Sequence, residues 1–488
     1  MSPTRPDILL IMTDQQRFDS LSCYGCRAIE TPHLDRLAAE GVRFEHACCN
    51  NPICTPSRAS LMTGRPVPDH GVCRLYDDLP DDSVMLPDRL RRLGYDTALV
   101  GKLHVSSRST EARRRHPHDG FDIYDWCLDP AIELESPHNA YARWLGERCP
   151  DVLDRLRRAG KRAGSVSRAC HMTHWAAERT IALLREPRDR PRFVMMSLFD
   201  PHDPFDDHPP AYADRVDREA LGPPQPVGDA AATPLMRRIA ERTAGWLTTE
   251  SPAESVTEGR VGYHASVAML DDEIGRVLDA LDRTGRSRDT IVVFVSDHGD
   301  MLGDQGMFTK GGYLFDPCVR VPMLIRWPER LRAGVSRRMV QPHDLAASLL
   351  LAAGADAEDV AHWMPHARDV IGAEIHDRPA GGDDDFAVCC YPNSAMARRV
   401  AGGEPRGGYM DPPLEAVMFR TRRRKLVRYR LGGAEPETEW HLFDLEADPL
   451  ERHNLWHDPA WHAAGASLRE RLERWLTDHP LPTEPMAA

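Results

Sequence analysis

The sequence predicts an α/β fold: one large, mostly parallel sheet flanked by helices, with a smaller antiparallel unit toward the C-terminal end. Three observations predict it. Short, uninterrupted apolar runs at 8–12, 97–100, 193–198 and 291–295 have the length and composition of strands buried on both faces. Stretches of helical spacing separate these runs, and parallel strands require such crossovers. Late in the chain, at 417–420, 426–429 and 440–445, the pattern changes to short strands joined by turns.

Taken in order, the first run ends in Thr13, Asp14 and Gln15. Thr31 and Pro32 open an amphipathic helix that Gly41 closes. Residues 57–62 read as a helix. Pro56 suits its first turn, where a missing N–H costs nothing, and Gly64 ends it in a left-handed cap. Cys54 therefore sits just ahead of a helix N-terminus, where free N–H groups and the dipole favour an anion. Residues 84–93 form a helix stopped by Gly94, and 97–100 the next strand.

Residues 105–190 read as a polar, helical insertion with a basic run at Arg113, Arg114 and Arg115 and an amphipathic helix at 175–184. Residues 206–258, rich in proline and charge, read as an inserted loop. A long helix at 259–281, a short strand at 322–327 and a helix at 344–353 follow. The Asp-, Gly- and Ala-rich stretch 354–384 holds the connection to a second unit, dividing the chain into a domain at 1–370 and a subdomain at 371–488. In that subdomain a hairpin forms around Arg422, Arg423 and Arg424, and 459–477 is a final helix. No internal repeat is present.

The 488 residues carry 62 basic and 75 acidic side chains, a net charge of −13. Such a balance argues against nucleic acid or an anionic membrane as the main partner, so an anionic substrate needs a local cluster of cations. Residues 1–7 are polar and the apolar run after them is too short for a signal peptide or a membrane span; the expectation is a soluble, cytoplasmic protein. Twelve cysteines in that setting predict mostly reduced thiols rather than a disulfide framework. Cys23 and Cys26 have redox or zinc-pair spacing, but no second pair accompanies them, and they read as part of a turn. The vicinal pairs Cys48, Cys49 and Cys389, Cys390 read as packed, and the arginine hairpin as a solvated edge.

In a doubly wound sheet the ligand site lies beyond the C-terminal ends of the strands. Four predicted strands deliver polar residues there: Asp14 and Gln15, Lys102 and His104, His202, and Asp297 with His298. Asp14, Gln15 and Asp297 offer hard oxygen ligands for a divalent cation, and His298 adds a nitrogen that tilts the choice toward Mn2+. Lys102, His104, His202 and Lys310 supply charge and donors for a tetrahedral oxyanion.

Cys54, Pro56, Ser57 and Arg58, followed by Leu61, Thr63 and Gly64, resemble the maturation signature of the sulfatase family, in which the cysteine is oxidised to formylglycine. The resemblance extends to Asp14-Gln15, to Gly101-Lys102-Leu103-His104, to His202, to Asp297-His298-Gly299, and to Lys310 with Arg320-Val321-Pro322. It covers most of 5–330, and Leu442 to Leu455 resembles the family's C-terminal stretch. It implies an alkaline-phosphatase-like sandwich with a small C-terminal antiparallel sheet and helix. It also implies hydrolysis of a small-molecule sulfate monoester to an alcohol or phenol and inorganic sulfate. The nucleophile would be a formylglycine hydrate made from Cys54 by a formylglycine-generating enzyme. One divalent cation, Ca2+ in the family with Mn2+ second, would be held by Asp14, Gln15, Cys54, Asp297 and His298. Cys54, Arg58, Lys102, His104, His202 and Lys310 form the implied catalytic set.

Gln15 and His298 resemble the phosphonate monoester hydrolase branch, whose usual Tyr and Thr are here Lys102 and His104. Sulfate monoesters are therefore the first reading, and phosphonate monoesters or phosphodiesters the alternative. A non-catalytic anion-binding protein with an unmodified Cys54 is a third. Contacts to the alcohol half are expected from 105–190 and 206–258, and an oligomer is left open.

Overall fold

A run of apolar residues with no polar face must be covered on both sides, and the strand it forms, β1 (Asp7–Thr13), lies inside an eight-stranded sheet. The computed structural model describes residues 5–243, 253–376, 385–392 and 413–482. The other strands of this sheet are β2 (Val42–Ala47), β3 (Asp96–Gly101), β4 (Ile123–Trp126), β5 (Arg192–Ser197), β6 (Thr290–Ser296), β7 (Met323–Arg326) and β8 (Gly334–Val340). Their order is β4-β3-β5-β1-β6-β7-β2-β8, and all but β7 run parallel to β1.

Alternation along β1 sends Ile8, Leu10 and Met12 into one core and Leu9 and Ile11 into the other. Ala59, Leu61 and Met62 of the Cys54–Thr63 helix join the first core, with Leu345 and Leu349 of the Pro342–Ala352 helix. The long Ala253–Arg283 helix and the Met172–Arg185 helix cover the second. Each such side chain contributes about 1.5–3 kcal/mol by leaving water.

A second sheet, β12-β11-β10-β9, is wholly antiparallel and comprises β9 (Ala387–Pro392), β10 (Leu414–Arg420), β11 (Arg424–Leu431) and β12 (Glu437–Asp444). Cys389, Tyr391, Met418, Val427 and Tyr429 face the first core. Val388, Cys390, Phe419, Leu426 and Leu442 pack instead with Leu468 and Leu472 of the final helix, His462–Asp478. A buried ion cluster seals the junction. Asp316 accepts from Arg420 (2.9 Å) and Lys425 (3.0 Å), and Lys425 also reaches Glu451 (2.6 Å).

The structure departs from the expectations at several elements. β2, β4, β8 and β9 are not among the predicted strands: β2 alternates apolar and charged residues, β4 is four residues of mixed polarity, β8 is a half-exposed edge, and β9 carries a cysteine pair. The stretch 206–258 is not a loop, because it holds helices Pro210–Ala213, Arg218–Leu221 and Pro234–Thr243, and the long helix already begins at Ala253. Pro210 and Pro234 occupy the first helical position, where proline starts a helix rather than breaking one. Residues 244–252 and 377–384 of the predicted loop and connection, and 393–412 and 483–488 of the predicted subdomain, lie outside the described residues.

Ten of the twelve cysteines are free, in line with mostly reduced thiols, and Cys149 and Cys170 form a disulfide. Cys149 ends one helix and begins the next, and Tyr141 donates to the Cys170 carbonyl (2.7 Å), so local packing brings the two thiols together. Among the described residues no helix is long and apolar enough to cross a membrane.

Candidate active site

Strands β3, β5, β1 and β6 are adjacent and parallel, so their C-terminal ends share one edge of the sheet. Asp14 and Gln15 follow β1, Lys102 and His104 follow β3, His202 follows β5, and Asp297 and His298 follow β6. Gly101 makes the turn at β3 possible. Its φ is +105°, and a Cβ there would lie 1.9 Å from the Ser197 carbonyl oxygen.

Cys54 comes to this edge as the first residue of its helix. Asn51 shapes the approach: its Oδ1 accepts from the Ile53 amide (2.8 Å) and its Nδ2 donates to the Cys390 carbonyl on β9 (2.7 Å). Gly64, with φ +67°, closes the helix in the left-handed cap that its sequence predicts.

Arg58, one turn along this helix, is fully buried and joins the strand ends. Its Nε donates to Asp297 Oδ2 (2.7 Å), Nη2 to Asp14 Oδ2 (2.9 Å), and Nη1 to Ser197 Oγ (2.8 Å) and the Lys102 carbonyl (3.1 Å). Lys102 Nζ also meets Asp14 Oδ2, at 2.7 Å. Burial pushes the Asp14 carboxyl up, but Lys102, Arg58, His202 and Lys310 outweigh it and hold the group well below the usual carboxylate range. At Asp297 burial and the Asp14 charge win, and its carboxyl is pushed up.

Around Cys54 the donor atoms converge. Its Sγ lies 3.2 Å from His298 Nε2 and 3.6 Å from Asp14 Oδ1. His298 Nε2 is 3.9 Å from Asp14 Oδ1 and 3.7 Å from Asp297 Oδ1. One ligand atom each from Asp14, Cys54, Asp297 and His298 lies within 4.8 Å of every other, and all four residues are buried. Burial and Asp14 raise the Cys54 thiol, yet Lys102, Lys310 and His298 bring it well below the ordinary thiol range. Gln15, the fifth predicted ligand, stands beside this group. Its amide donates to Asp297 Oδ1 (3.0 Å), while its carboxamide bridges Asp300 and Lys310.

The anion-facing side chains surround the thiol. Lys310 Nζ contacts His202 Nε2 (2.6 Å), whose Nδ1 bonds the Asp203 carbonyl (2.8 Å). Despite burial, which raises it, the Asp203 carboxyl is lowered to about 2 by His202, Lys161 and Lys310. His104 Nε2 lies 3.1 Å from Thr55 Oγ1, beside Cys54 at the cavity; burial and Lys102 lower its imidazole to about 4, so it is neutral at pH 7. A cavity of about 310 Å³ opens above these groups. Leu75, Tyr76, Leu128, Ile132 and Phe199 form its apolar wall, with Arg108, Asp129 and Lys161 beside them. The 105–190 stretch thus lines the cavity. Among the described residues, 206–258 contributes none of the lining; Asp229 instead bonds the Arg452 and Asn454 backbone.

Several supporting residues were not legible in the sequence. Ser197 takes an Arg58 donor, and Asp300 anchors Gln15. Glu111 is 3% exposed and accepts from the backbone amides of His104 (2.9 Å), Val105 (2.7 Å) and Ser106 (3.2 Å) and from Trp126 Nε1 (2.9 Å). It fixes the loop in which His104 adopts φ +57°. Glu111 follows closely on the Lys102-His104 motif and precedes a basic run, and no local pattern distinguishes it from a surface acid. Conversely, Cys23 does not form a reactive pair: burial and Asp35 push its thiol up to about 12, while Tyr24 donates its hydroxyl to the Phe44 and Met323 carbonyls.

Comparison with known proteins adds the following. The family profile described as Sulfatase matches residues 6–355. An arylsulfatase of Clostridium perfringens is 31% identical over 468 residues, covering 92% of this chain and 90% of its own. A choline-sulfatase of Rhizobium meliloti is 27% identical over 481 residues, with 96% and 86% covered. Among solved structures, a phosphonate monoester hydrolase of Agrobacterium radiobacter superposes with a TM-score of 0.77 at 24% identity, covering 97% of this chain and 96% of that one; this is a likeness of fold.

Proposed function

The chain belongs to the sulfatase family, hydrolases that act on sulfuric esters, and from that premise we propose that it cleaves a sulfate monoester to an alcohol or phenol and inorganic sulfate, with Cys54 as formylglycine and one divalent cation beside it. One observation carries the reading. At the floor of a cavity, Cys54 stands where two carboxylates and an imidazole meet a shell of lysine and histidine donors. The thiol seen here marks the place of the hydrated aldehyde, which would supply an oxygen nucleophile in its stead.

The donor set suits a cation: Asp14 and Asp297 offer charged oxygens, His298 a nitrogen, and their ligand atoms and Cys54 Sγ lie within 4.8 Å of one another. Asp14, Asp297, His298 and the modified Cys54 would hold it, with Gln15 alongside. Its charge would favour the deprotonated nucleophile and draw electron density from the sulfate.

The remaining work falls to side chains of this chain. Lys310 and His202 bind the non-bridging sulfate oxygens, setting the sulfur in line with residue 54. Lys102 places its ammonium against charge that develops on the leaving oxygen. His104, neutral and lining the cavity beside residue 54, takes the proton that must leave before sulfate is released. Arg58 touches none of the reacting atoms; it orients Asp14 and Asp297.

Gln15 and His298 favour a second reading, a phosphonate monoester in the same cluster of cations. Both readings are tested on protein co-produced with a formylglycine-generating enzyme, comparing an aryl sulfate with an aryl phosphonate monoester, with and without Ca2+ or Mn2+, beside Cys54→Ala. Metal-dependent sulfate turnover that Cys54→Ala abolishes is the expected result. Faster phosphonate turnover moves the protein to the second reading. Absence of turnover, with the aldehyde confirmed by mass, overturns both for aryl esters.

A further inference from the structure

Outside the active site, three segments far apart in sequence bring metal-binding side chains together. Asp69 lies in the short helix Val67–His70, His366 in the link before the Val370–Ile375 helix, and His479 directly after the last helix, 410 residues from Asp69. His479 Nδ1 is 2.8 Å from Asp69 Oδ1, and His366 Nε2 is 3.6 Å from Asp69 Oδ2, so each carboxylate oxygen faces one imidazole. The two rings stand edge to face, with centroids 4.2 Å apart. One ligand atom from each residue lies within 4.8 Å of the other two.

We propose that Asp69, His366 and His479 form a second metal site, separate from the catalytic one, that takes Zn2+. Two imidazoles and a carboxylate match the ligand preference of zinc, which takes nitrogen and oxygen donors in a tetrahedron. At zinc–ligand distances of about 2.0–2.1 Å, donor atoms stand about 3.3 Å apart. The three donors, now within 4.8 Å of one another, have to draw together to that spacing, and the His479–Asp69 hydrogen bond has to open by about half an ångström.

The surroundings hold the donors in place. The His479 side chain is 4% exposed, its ring packs on Trp475 at 4.5 Å, and its amide donates to the Trp475 carbonyl. His343 Nε2 lies 3.3 Å from the His366 carbonyl oxygen. The His366 side chain is 43% exposed, which leaves room for water at a fourth position. Asp69 follows soon after Gly64, the cap of the Cys54 helix, so zinc here ties the C-terminal end of the last helix to the segment leaving the active-site helix.

The test is zinc uptake by the full-length protein, measured by equilibrium dialysis and elemental analysis, for wild type and His366→Ala. The exposed position of His366 lets the variant fold, and both proteins keep identical active-site donors, so the difference in stoichiometry isolates this site. One Zn2+ fewer per chain in His366→Ala is expected, and the conservative His366→Cys variant restores it. Equal zinc content in wild type and His366→Ala overturns the proposal and leaves a hydrogen-bonded Asp69–His479 pair with His366 packed against it.

Discussion

Arg58 and Lys310 are both buried cations at the site, yet their contacts predict different consequences. Arg58 bridges two fully buried carboxylates that no water can reach. Removing one partner of a buried ion pair strands the other, at a cost of about 3–5 kcal/mol. Arg58→Met should therefore lower the urea midpoint strongly and abolish turnover with it. Lys310 faces the cavity, where a sulfate oxygen would take the place of its present partners. Lys310→Met should leave folding largely intact and reduce kcat/KM by about 10²–10³-fold, as loss of a donor aimed at developing charge does. Equal losses of stability in the two variants would contradict this division. Glu111 belongs between them, because it touches only the loop amides. Glu111→Ala should lower kcat while Glu111→Gln, which keeps a carbonyl acceptor, restores part of it.

Among the elements, the strands that carry the site were legible, whereas β2, β4, β8 and β9 were not. β1, β3, β5 and β6 have apolar middles because both faces are covered, and their polar ends stand out against that background. β8 alternates imperfectly and is exposed at its start, so its sequence resembles any amphipathic stretch. Glu111 and Ser197 were hidden for another reason: their roles exist only through partners that the fold brings to them. Glu273 is a further case. It sits within the Ala253–Arg283 helix, its side chain has no exposure, and it binds Arg168 (2.7 Å), His174 (2.9 Å) and Arg276 (2.6 Å). Burial raises its carboxyl, but the bonds from His174 and Arg168 win and lower it from 4.5 to about 2. A group depressed in the folded state contributes stability above its unfolded value and loses it as pH falls through the folded one. The stability gap between wild type and Glu273→Gln should thus be full above about pH 4.5, at about 2–3 kcal/mol, and close toward pH 2. Denaturant titrations at pH 7, 4 and 2.5 measure it, and a gap unchanged with pH would refute the linkage.

At the scale of the whole molecule, the small sheet is more than an appendage, because β9 touches the approach to Cys54. The Cys390 carbonyl accepts from Asn51 and its amide donates to the Asn50 carbonyl, so the backbone that positions Ile53 and Cys54 leans on the second sheet. What keeps that sheet seated, besides apolar packing, is the buried cluster of Asp316, Arg420, Lys425 and Glu451. Asp316 is the one acid that meets both cations. Asp316→Asn leaves Arg420 without a carboxylate contact there and Lys425 with Glu451 alone, and an uncompensated buried charge costs about 3–5 kcal/mol. The loss should appear first as faster amide exchange in β9–β12, while β1, β5 and β6 stay protected. Turnover should fall with it, since the Asn51 contact depends on β9. Arg423→Ala provides the control. That side chain is exposed, pairs with Glu446 at the surface, and should change stability by less than about 1 kcal/mol. Slow exchange in β9–β12 of Asp316→Asn, combined with unchanged turnover, would show that apolar packing alone seats the sheet.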